Sequence, residues 1–175
     1  SWLGRPVRVF EDGGWRDRPG WSGLHLRDMG RAGRRWVSLC ETPDLDLLPQ
    51  RFAVRERAWF LAGLEPAAAH FGAWLLGKVS ALTDARLTAL APSFVRLSGL
   101  FAPFGSDRGA MRVEAYGLDE EGRSVRAVWL LTADPGAGPV TPSLPALAAI
   151  KAIARGGVAA GARACVGVLS RQDIE

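Results

Sequence analysis

Residues 109–131 read GAMRVEAYGLDEEGRSVRAVWLL, and apolar and polar side chains alternate along the first half of this stretch. The returning half, 125–131, is apolar apart from Arg126. Met111 and Val113 fall on one face of the first half and Arg112 and Glu114 on the other, because successive side chains of a strand point to opposite faces. The acidic, glycine-containing segment between the halves predicts a turn. We therefore predict an antiparallel hairpin with a charged outer face, on which arginines and acids pair across the strands.

Shorter secondary-structure signals surround this hairpin. Strand signals occupy residues 6–16 (a second hairpin), 36–41 and 55–64, loop signals 19–35, and helical signals 66–101 and 145–155. Pro92 is expected to break or kink the longer helical segment, because proline cannot donate a backbone hydrogen bond. Hairpins with separate helices predict the α+β class, with a largely antiparallel sheet of hairpins covered by helices on one side.

The first part of that helical segment, residues 66–82, is apolar on almost every side. It is shorter than the roughly 18–20 apolar residues that a helix needs to cross a bilayer, so membrane association is not expected. A helix that is hydrophobic all round must be buried on several sides. We expect a core helix that also contacts another domain or subunit.

Composition narrows the class of protein further. The chain of 175 residues has a net charge of +4, with acids interleaved among its arginines. This mixture is typical of a solvated surface and not of the one-sided basic stripe of a nucleic-acid-binding protein. Cys40 and Cys165 are too few for a disulfide framework, and no secretory signal is visible. We expect one domain of a cytoplasmic bacterial protein with reduced thiols.

The common catalytic arrangements are absent from the sequence. Ser106 lacks an evident base, since His25 falls in a loop-like segment and His70 in the apolar helix. Two histidines and two cysteines without short spacing do not predict a zinc site. The glycine-rich run at 156–161 follows a helix and lacks the spacing of a nucleotide-binding turn. We therefore predict no metal and no cofactor site in this chain.

Four blocks of the sequence, taken together, carry a family resemblance. They are GRPVRVFEDGGWRDRPGW (4–21), RWVSLCETPDLDLLPQRF (35–52), PFGSDRGAMRVEAYG (103–117) and PSLPALAAIKAIARGGVAAGARACVGVLS (142–170). In this order and with these gaps they resemble the C-terminal part of saccharopine dehydrogenase-like oxidoreductases. The resemblance covers essentially the whole chain.

This resemblance implies that residues 1–175 form the second, α+β domain of an NAD(P)-dependent oxidoreductase. In that family the second domain closes the substrate cleft against an N-terminal Rossmann domain and often mediates subunit contacts. The dinucleotide domain is missing from this chain, so we expect NAD(P) to bind the full-length protein and the fragment alone to be inactive. The expected partners are that Rossmann domain, a second copy in a homodimer, and a small amino- or keto-acid-like substrate. The alternative is a non-catalytic structural or protein-interaction module of the same fold.

The candidate substrate-binding residues are Ser106, Asp107, Arg108, Asp44, Asp46 and His25. Arg108 suits a bidentate clamp on a carboxylate, and the two acids after Thr42 could hold an amino group. Each group also has a structural interpretation. Residues 106–108 could be a turn that caps backbone amides, and the two acids could be helix N-terminal charges.

Overall fold

The computed structural model describes residues 3–83, 91–106, 108–159 and 161–174. The chain is a mixed α+β protein built from antiparallel hairpin sheets and helices, which confirms the predicted fold class. It divides into two compact units, residues 1–106 and 107–175.

The strands of the first unit form two three-stranded antiparallel sheets. They are β1 (Pro6–Glu11), β2 (Gly14–Pro19), β3 (His25–Asp28), β4 (Arg34–Cys40), β5 (Arg57–Ala58) and β6 (Phe60–Ala62). One sheet has the order β2-β1-β5 and the other the order β3-β4-β6. The predicted hairpin at 6–16 is confirmed as β1 and β2, and the predicted strand at 36–41 as β4.

Two local expectations for this unit were wrong. Residues 55–64 do not form one strand, because the segment changes sheet at Trp59: β5 pairs with β1, whereas β6 pairs with β4. The stretch 19–35 is not all loop, because β3 pairs along its whole length with β4. The first error arises from pairing with strands distant in the chain, and the second from a hairpin with the next strand; local composition reports neither pairing.

The described part of the first unit has three α-helices, of which the last two lie in the predicted helical segment 66–101. They are α1 (Leu48–Arg51), α2 (Ala67–Thr83) and α3 (Ala91–Phe101), preceded by a 3₁₀ helix at Pro43–Asp46. Pro92 is the second residue of α3, and residues 84–90 before this helix lie outside the described residues. Proline is tolerated in the first helical turn because the backbone N–H groups there have no intrahelical acceptor.

The core of the first unit is small, and α2 approaches it closely. Its buried apolar side chains include those of Val7, Val9, Val37, Leu39 and Leu45. Helix α2 contacts both β4 and β2. Gly4 makes this approach possible: its φ of +70° is left-handed, and an added methyl group would collide with the carbonyl oxygen of Gly77 in α2.

The second unit contains the predicted long hairpin and one helix of three turns. The prediction that the charged face lies outward was wrong for the first strand: the side chains of Arg112 and Glu114 are 12% and 16% exposed, whereas Met111 and Val113 on the opposite face are each 52% exposed. β7 (Gly109–Leu118) and β8 (Ser124–Ala133) pair over their full length, and α4 (Leu144–Ala154) ends before Gly156 at a φ of +72°. Among the described residues of this unit, the buried apolar side chains are only those of Ala133 and Ala148. The unit therefore has almost no apolar core of its own.

Candidate functional site

Helix α2 has an inverted distribution of side chains. Its buried residues are His70, Gly77 and Ser80, which are small or polar. Four of its large apolar residues lie on the surface at helical spacing, and we call them the outer stripe: Phe71, Leu75, Val79 and Leu82. Trp74 and Leu76 are half-buried. The side chain of Leu75 is 57% exposed and that of Leu82 is 85% exposed. An exposed apolar stripe of this kind is a candidate contact surface, because an ordinary surface helix turns its apolar side to the core.

The inner face of α2 is held by a buried histidine. The His70 side chain is completely inaccessible, and its Nε2 lies 3.1 Å from Ser38 Oγ on β4. The backbone N–H of Leu64 donates to Nδ1 at 3.4 Å, and the indole ring of Trp21 lies 5.2 Å from the imidazole. Burial lowers the pKa of His70, which keeps the ring neutral.

These contacts determine the tautomer of His70 and its role. Because Nδ1 accepts a hydrogen bond from Leu64, the ring proton lies on Nε2 and is donated to Ser38 Oγ. A nitrogen that carries its proton cannot remove one from Ser38, and Ser38 is itself buried. The pair is therefore a structural link between α2 and β4, not a nucleophile with its base.

Ser106, one of the candidate substrate-binding residues, is hydrogen-bonded to Glu65. The backbone N–H of Ser106 donates to Glu65 Oε2 at 2.7 Å, and its hydroxyl donates to Oε1. The guanidinium of Arg35 contacts the same carboxylate at 2.5 Å. Burial alone would raise the pKa of Glu65, but the hydrogen bonds from Ser106 and Arg35 together lower it, so the carboxylate is charged. Ser106 thus ends the first unit in a charged, hydrogen-bonded corner.

His25 packs against Trp59, which binds the buried carboxylate of Glu11. Its ring is 5.5 Å from the ring of Trp59, whose Nε1–H donates to Glu11 Oε1 at 2.9 Å. Arg18 donates to Glu11 Oε2 at 2.6 Å. Burial, followed by the charges of Arg27 and Arg57, lowers the pKa of His25. The imidazole is neutral at physiological pH and packs against an indole ring.

Sequence reasoning missed Glu11 and Trp59, although the pattern of β1 contains a signal for the first. Val7, Val9 and Glu11 lie at alternate positions of one strand and face the same side, and all three are buried. A carboxylate in an apolar row requires a charged or donor partner, because burying an unpaired charge is costly. Arg18 and Trp59 supply those partners, and the Arg18 hydrogen bond is the largest factor that lowers the pKa of Glu11.

The two acids after Thr42 lie on the surface. Asp44 accepts a hydrogen bond from the Thr42 hydroxyl at 3.3 Å, and Asp46 forms an ion pair with Arg8 at 3.4 Å. Thr42 occupies the N-cap position of the 3₁₀ helix without a side-chain capping bond. The acids in its first turn suit the positive end of the helix, as the structural interpretation requires.

The remaining predicted residues lie around the start of the long hairpin. Asp107 is outside the described residues, and Arg108 is exposed immediately before β7. In the first unit, each predicted residue contacts a side chain outside the predicted set: Ser106 contacts Glu65, Asp44 contacts Thr42, Asp46 contacts Arg8, and His25 contacts Trp59. Among the described residues of that unit, no hydrogen bond or ion pair joins two of the four.

No protein-family model matches the chain, and no curated protein matches it. Within the described ranges, no group of three or more histidine, cysteine or acidic side chains is placed to hold a metal ion. None of the helices in that part of the chain is long and apolar enough to cross a bilayer. The outer stripe of α2 is therefore treated as the candidate contact surface.

Proposed function

We propose that this chain is an assembly domain whose α2 packs its outer stripe against another domain or subunit. The observation that supports this proposal is the inversion of α2, which buries His70 and Ser80 while exposing Leu75 and Leu82. Complete burial of one large apolar side chain contributes roughly 1.5–3 kcal/mol. A stripe of four such side chains therefore offers a substantial driving force for association.

The larger protein that we propose is an NAD(P)-dependent oxidoreductase of the saccharopine dehydrogenase-like kind, in which this chain is the substrate-binding and dimerisation domain. This part rests on the sequence resemblance. The exposed Arg108 is compatible with it, because a guanidinium outside the core can clamp the carboxylate of an amino- or keto-acid. The competing proposal is a non-catalytic interaction module, which needs the outer stripe but not Arg108.

The assembly proposal is tested by changing the outer stripe. In the product of the complete gene, Leu75→Ser with Val79→Ser should expose α2 to hydroxyl-radical labelling at Phe71 and Leu82. Leu47→Ser is the control, because Leu47 is also partly exposed but lies outside the stripe. Equal labelling of α2 in the wild type and the double variant, at the level of a free helix, would contradict the proposal.

The oxidoreductase proposal needs a separate measurement. The complete gene product should quench NADPH or NADH fluorescence on binding and should turn over amino or keto acids. If it binds neither nucleotide while the outer stripe is protected from labelling, the chain is an interaction module without catalysis. Nucleotide binding therefore distinguishes the enzyme from the interaction module, because both proposals require the same assembly surface.

A further inference from the structure

A small cavity lies between α4 and a 3₁₀ helix at Arg171–Asp173 in the second unit. Its volume is about 230 Å³, and its lining residues are Ala148, Lys151, Ala152, Arg155, Gln172 and Asp173. A single water molecule needs only about 10–15 Å³ of such space. The cavity therefore admits a ligand of several non-hydrogen atoms.

The α4 side of this cavity carries two cations. Lys151 lies in the last turn of α4 and Arg155 is its C-cap residue, so the two side chains are four positions apart and lie on one side of the helix. Like charges at this spacing repel each other. Within the described part of the chain, neither side chain forms a hydrogen bond or an ion pair. The pair therefore concentrates positive charge at the cavity without a carboxylate in contact with it.

The end of α4 does not use these two cations as caps. Basic side chains near a helix C-terminus can donate hydrogen bonds to its last carbonyl oxygens. In α4 the carbonyl oxygens of Lys151, Ala152 and Ile153 already accept the backbone N–H groups of residues 155–157, at 2.9–3.2 Å. The helix dipole supplies only about half a negative charge at this end, against two full positive charges. Both cationic head groups are therefore available to a ligand.

The 3₁₀ helix contributes one amide and one acid to the cavity, Gln172 and Asp173. The Oδ2 atom of Asp173 accepts the backbone N–H and the hydroxyl of Ser170, each at 2.7 Å. These two hydrogen bonds lower the pKa of Asp173, so its carboxylate is charged, yet it forms no ion pair with Arg155. The lining of the cavity thus has one more positive than negative charge. The amide of Gln172 adds both hydrogen-bond donors and an acceptor.

We propose that this cavity binds a small monocarboxylate, whose carboxylate oxygens are held by Lys151 and Arg155. A guanidinium offers paired N–H donors that match two carboxylate oxygens, and an ammonium adds a compact positive charge. The methyl groups of Ala148 and Ala152 supply apolar lining for a short aliphatic chain. One excess positive charge is neutralised by one carboxylate. Neither α2 nor Arg108 lines this cavity, so the site does not depend on the assembly and oxidoreductase proposals.

Saturation-transfer NMR on the full chain tests the site, with butyrate as the ligand and butyramide as its uncharged isostere. Butyrate should bind saturably and butyramide should not. Lys151→Gln and Arg155→Gln should each weaken butyrate binding roughly tenfold, because each removes a hydrogen bond between charged groups. Arg163→Gln is the matched control, since Arg163 is an exposed cation of the same unit that does not line the cavity. Melting temperatures confirm that each variant is folded. No saturable binding of butyrate, or equal binding by all three variants, overturns the proposal.

The charge of Asp173 provides a second test. Asp173→Asn removes the negative charge from the lining and keeps an oxygen that can accept the hydrogen bonds of Ser170. Sulfate, which carries two negative charges, should displace butyrate poorly from the wild type and at least roughly tenfold better from Asp173→Asn, because the repulsion by the carboxylate is gone. Equal displacement by sulfate from the two proteins would refute the selection of a single negative charge.

Discussion

Ser38 Oγ and His70 Nε2 lie 3.1 Å apart in the interior of the first unit, and this hydrogen bond joins β4 to α2. Both side chains are almost completely buried. The same contact explains why α2 turns its polar residues inward: the imidazole finds its acceptor on β4 and its donor at Leu64. The large apolar residues of α2 are left on the opposite side.

Stability should depend on pH through the buried histidine. His70 has a pKa below its ordinary value of 6.5 in the folded chain, so the unfolded chain binds more protons as the pH falls. The free energy of unfolding should therefore be fully present above about pH 6.5 and should decrease toward pH 5, by at most about 1.4 kcal/mol per pH unit for each histidine. His25 acts in the same direction. Urea unfolding of the wild type and of His25→Gln separates the two, and a flat profile in His25→Gln would contradict the role of His70.

Removing the Ser38 hydroxyl should destabilise the first unit. Ser38→Ala leaves the Nε2–H of His70 buried without its acceptor, which costs about 1–3 kcal/mol. Ser22→Ala is the control, because Ser22 makes backbone hydrogen bonds, which alanine retains. Chemical denaturation should show a loss in the first variant and a change within about 0.5 kcal/mol in the second. If Ser38→Ala had the same free energy of unfolding as the wild type, the hydrogen bond would be energetically neutral.

Two glycine substitutions should have opposite effects. Gly4→Ala forces a side chain into a left-handed conformation and against the backbone of α2, so a loss of more than about 2 kcal/mol is expected. Gly72→Ala in α2 meets open space and should stabilise the helix by roughly 0.5–1 kcal/mol. Melting temperatures of the two variants measure the contrast. Equal stability of Gly4→Ala and the wild type would show that α2 does not approach Gly4 as described.

The hairpin should be sensitive to acid through Glu114. Hydrogen bonding by Arg112, opposed by burial and assisted by Tyr116 and Arg126, lowers the pKa of Glu114 to about 2. A carboxyl with a lowered pKa stabilises the fold above its ordinary value of 4.5, and this contribution is lost as the pH falls toward 2. The pH window runs from about 4.5 down to about 2, so hydrogen exchange of residues 109–133 is compared at about pH 5 and about pH 3. The acid dependence of this exchange should be weaker in Glu114→Gln than in the wild type. Glu120→Gln, in the exposed turn, should behave as the wild type.

Ser106 and Arg108 should differ in what they affect. Ser106→Ala removes the hydroxyl bond to Glu65 and should lower the melting temperature. Arg108→Ala, at an exposed position, should leave the melting temperature unchanged and weaken glutamate or 2-oxoglutarate binding by the complete gene product at least roughly tenfold. Isothermal titration calorimetry measures the binding. A drop in melting temperature for Arg108→Ala without a binding defect would show that Arg108 is structural.

Secondary-structure elements with a strong periodicity of apolar side chains were predictable from the sequence. The pattern of residues 109–131 specified the β7–β8 hairpin, and the cross-strand contact between Glu114 and Arg126 is present at 2.8 Å. The apolar run at 66–82 specified α2 almost to the residue. Local period failed at 55–64, because two short strands that pair with different sheets have the same apolar composition as one longer strand.

Among the histidines and candidate residues, some surroundings were predictable from sequence and others were not. The structural interpretation of His70 as a core histidine agrees with its burial. The contact between Ser106 and Glu65 joins residues 41 positions apart, and no local pattern indicates it. Whether Ser106, Arg108 or the other candidates bind a substrate stays a prediction for the measurements above.

Sequence alone specified the fold class, the β7–β8 hairpin and helix α2, because side-chain periodicity and turn residues act over a few neighbouring positions. Tertiary structure decided which side of α2 faces the core. That choice depends on Ser38 and Gly4, which lie far from α2 in the chain and meet it only after folding, and on Leu64 just before the helix. A helix that is apolar all round has no preferred side of its own, so the hydrogen bonds of His70 and the close approach at Gly77 determine the apolar surface that remains exposed.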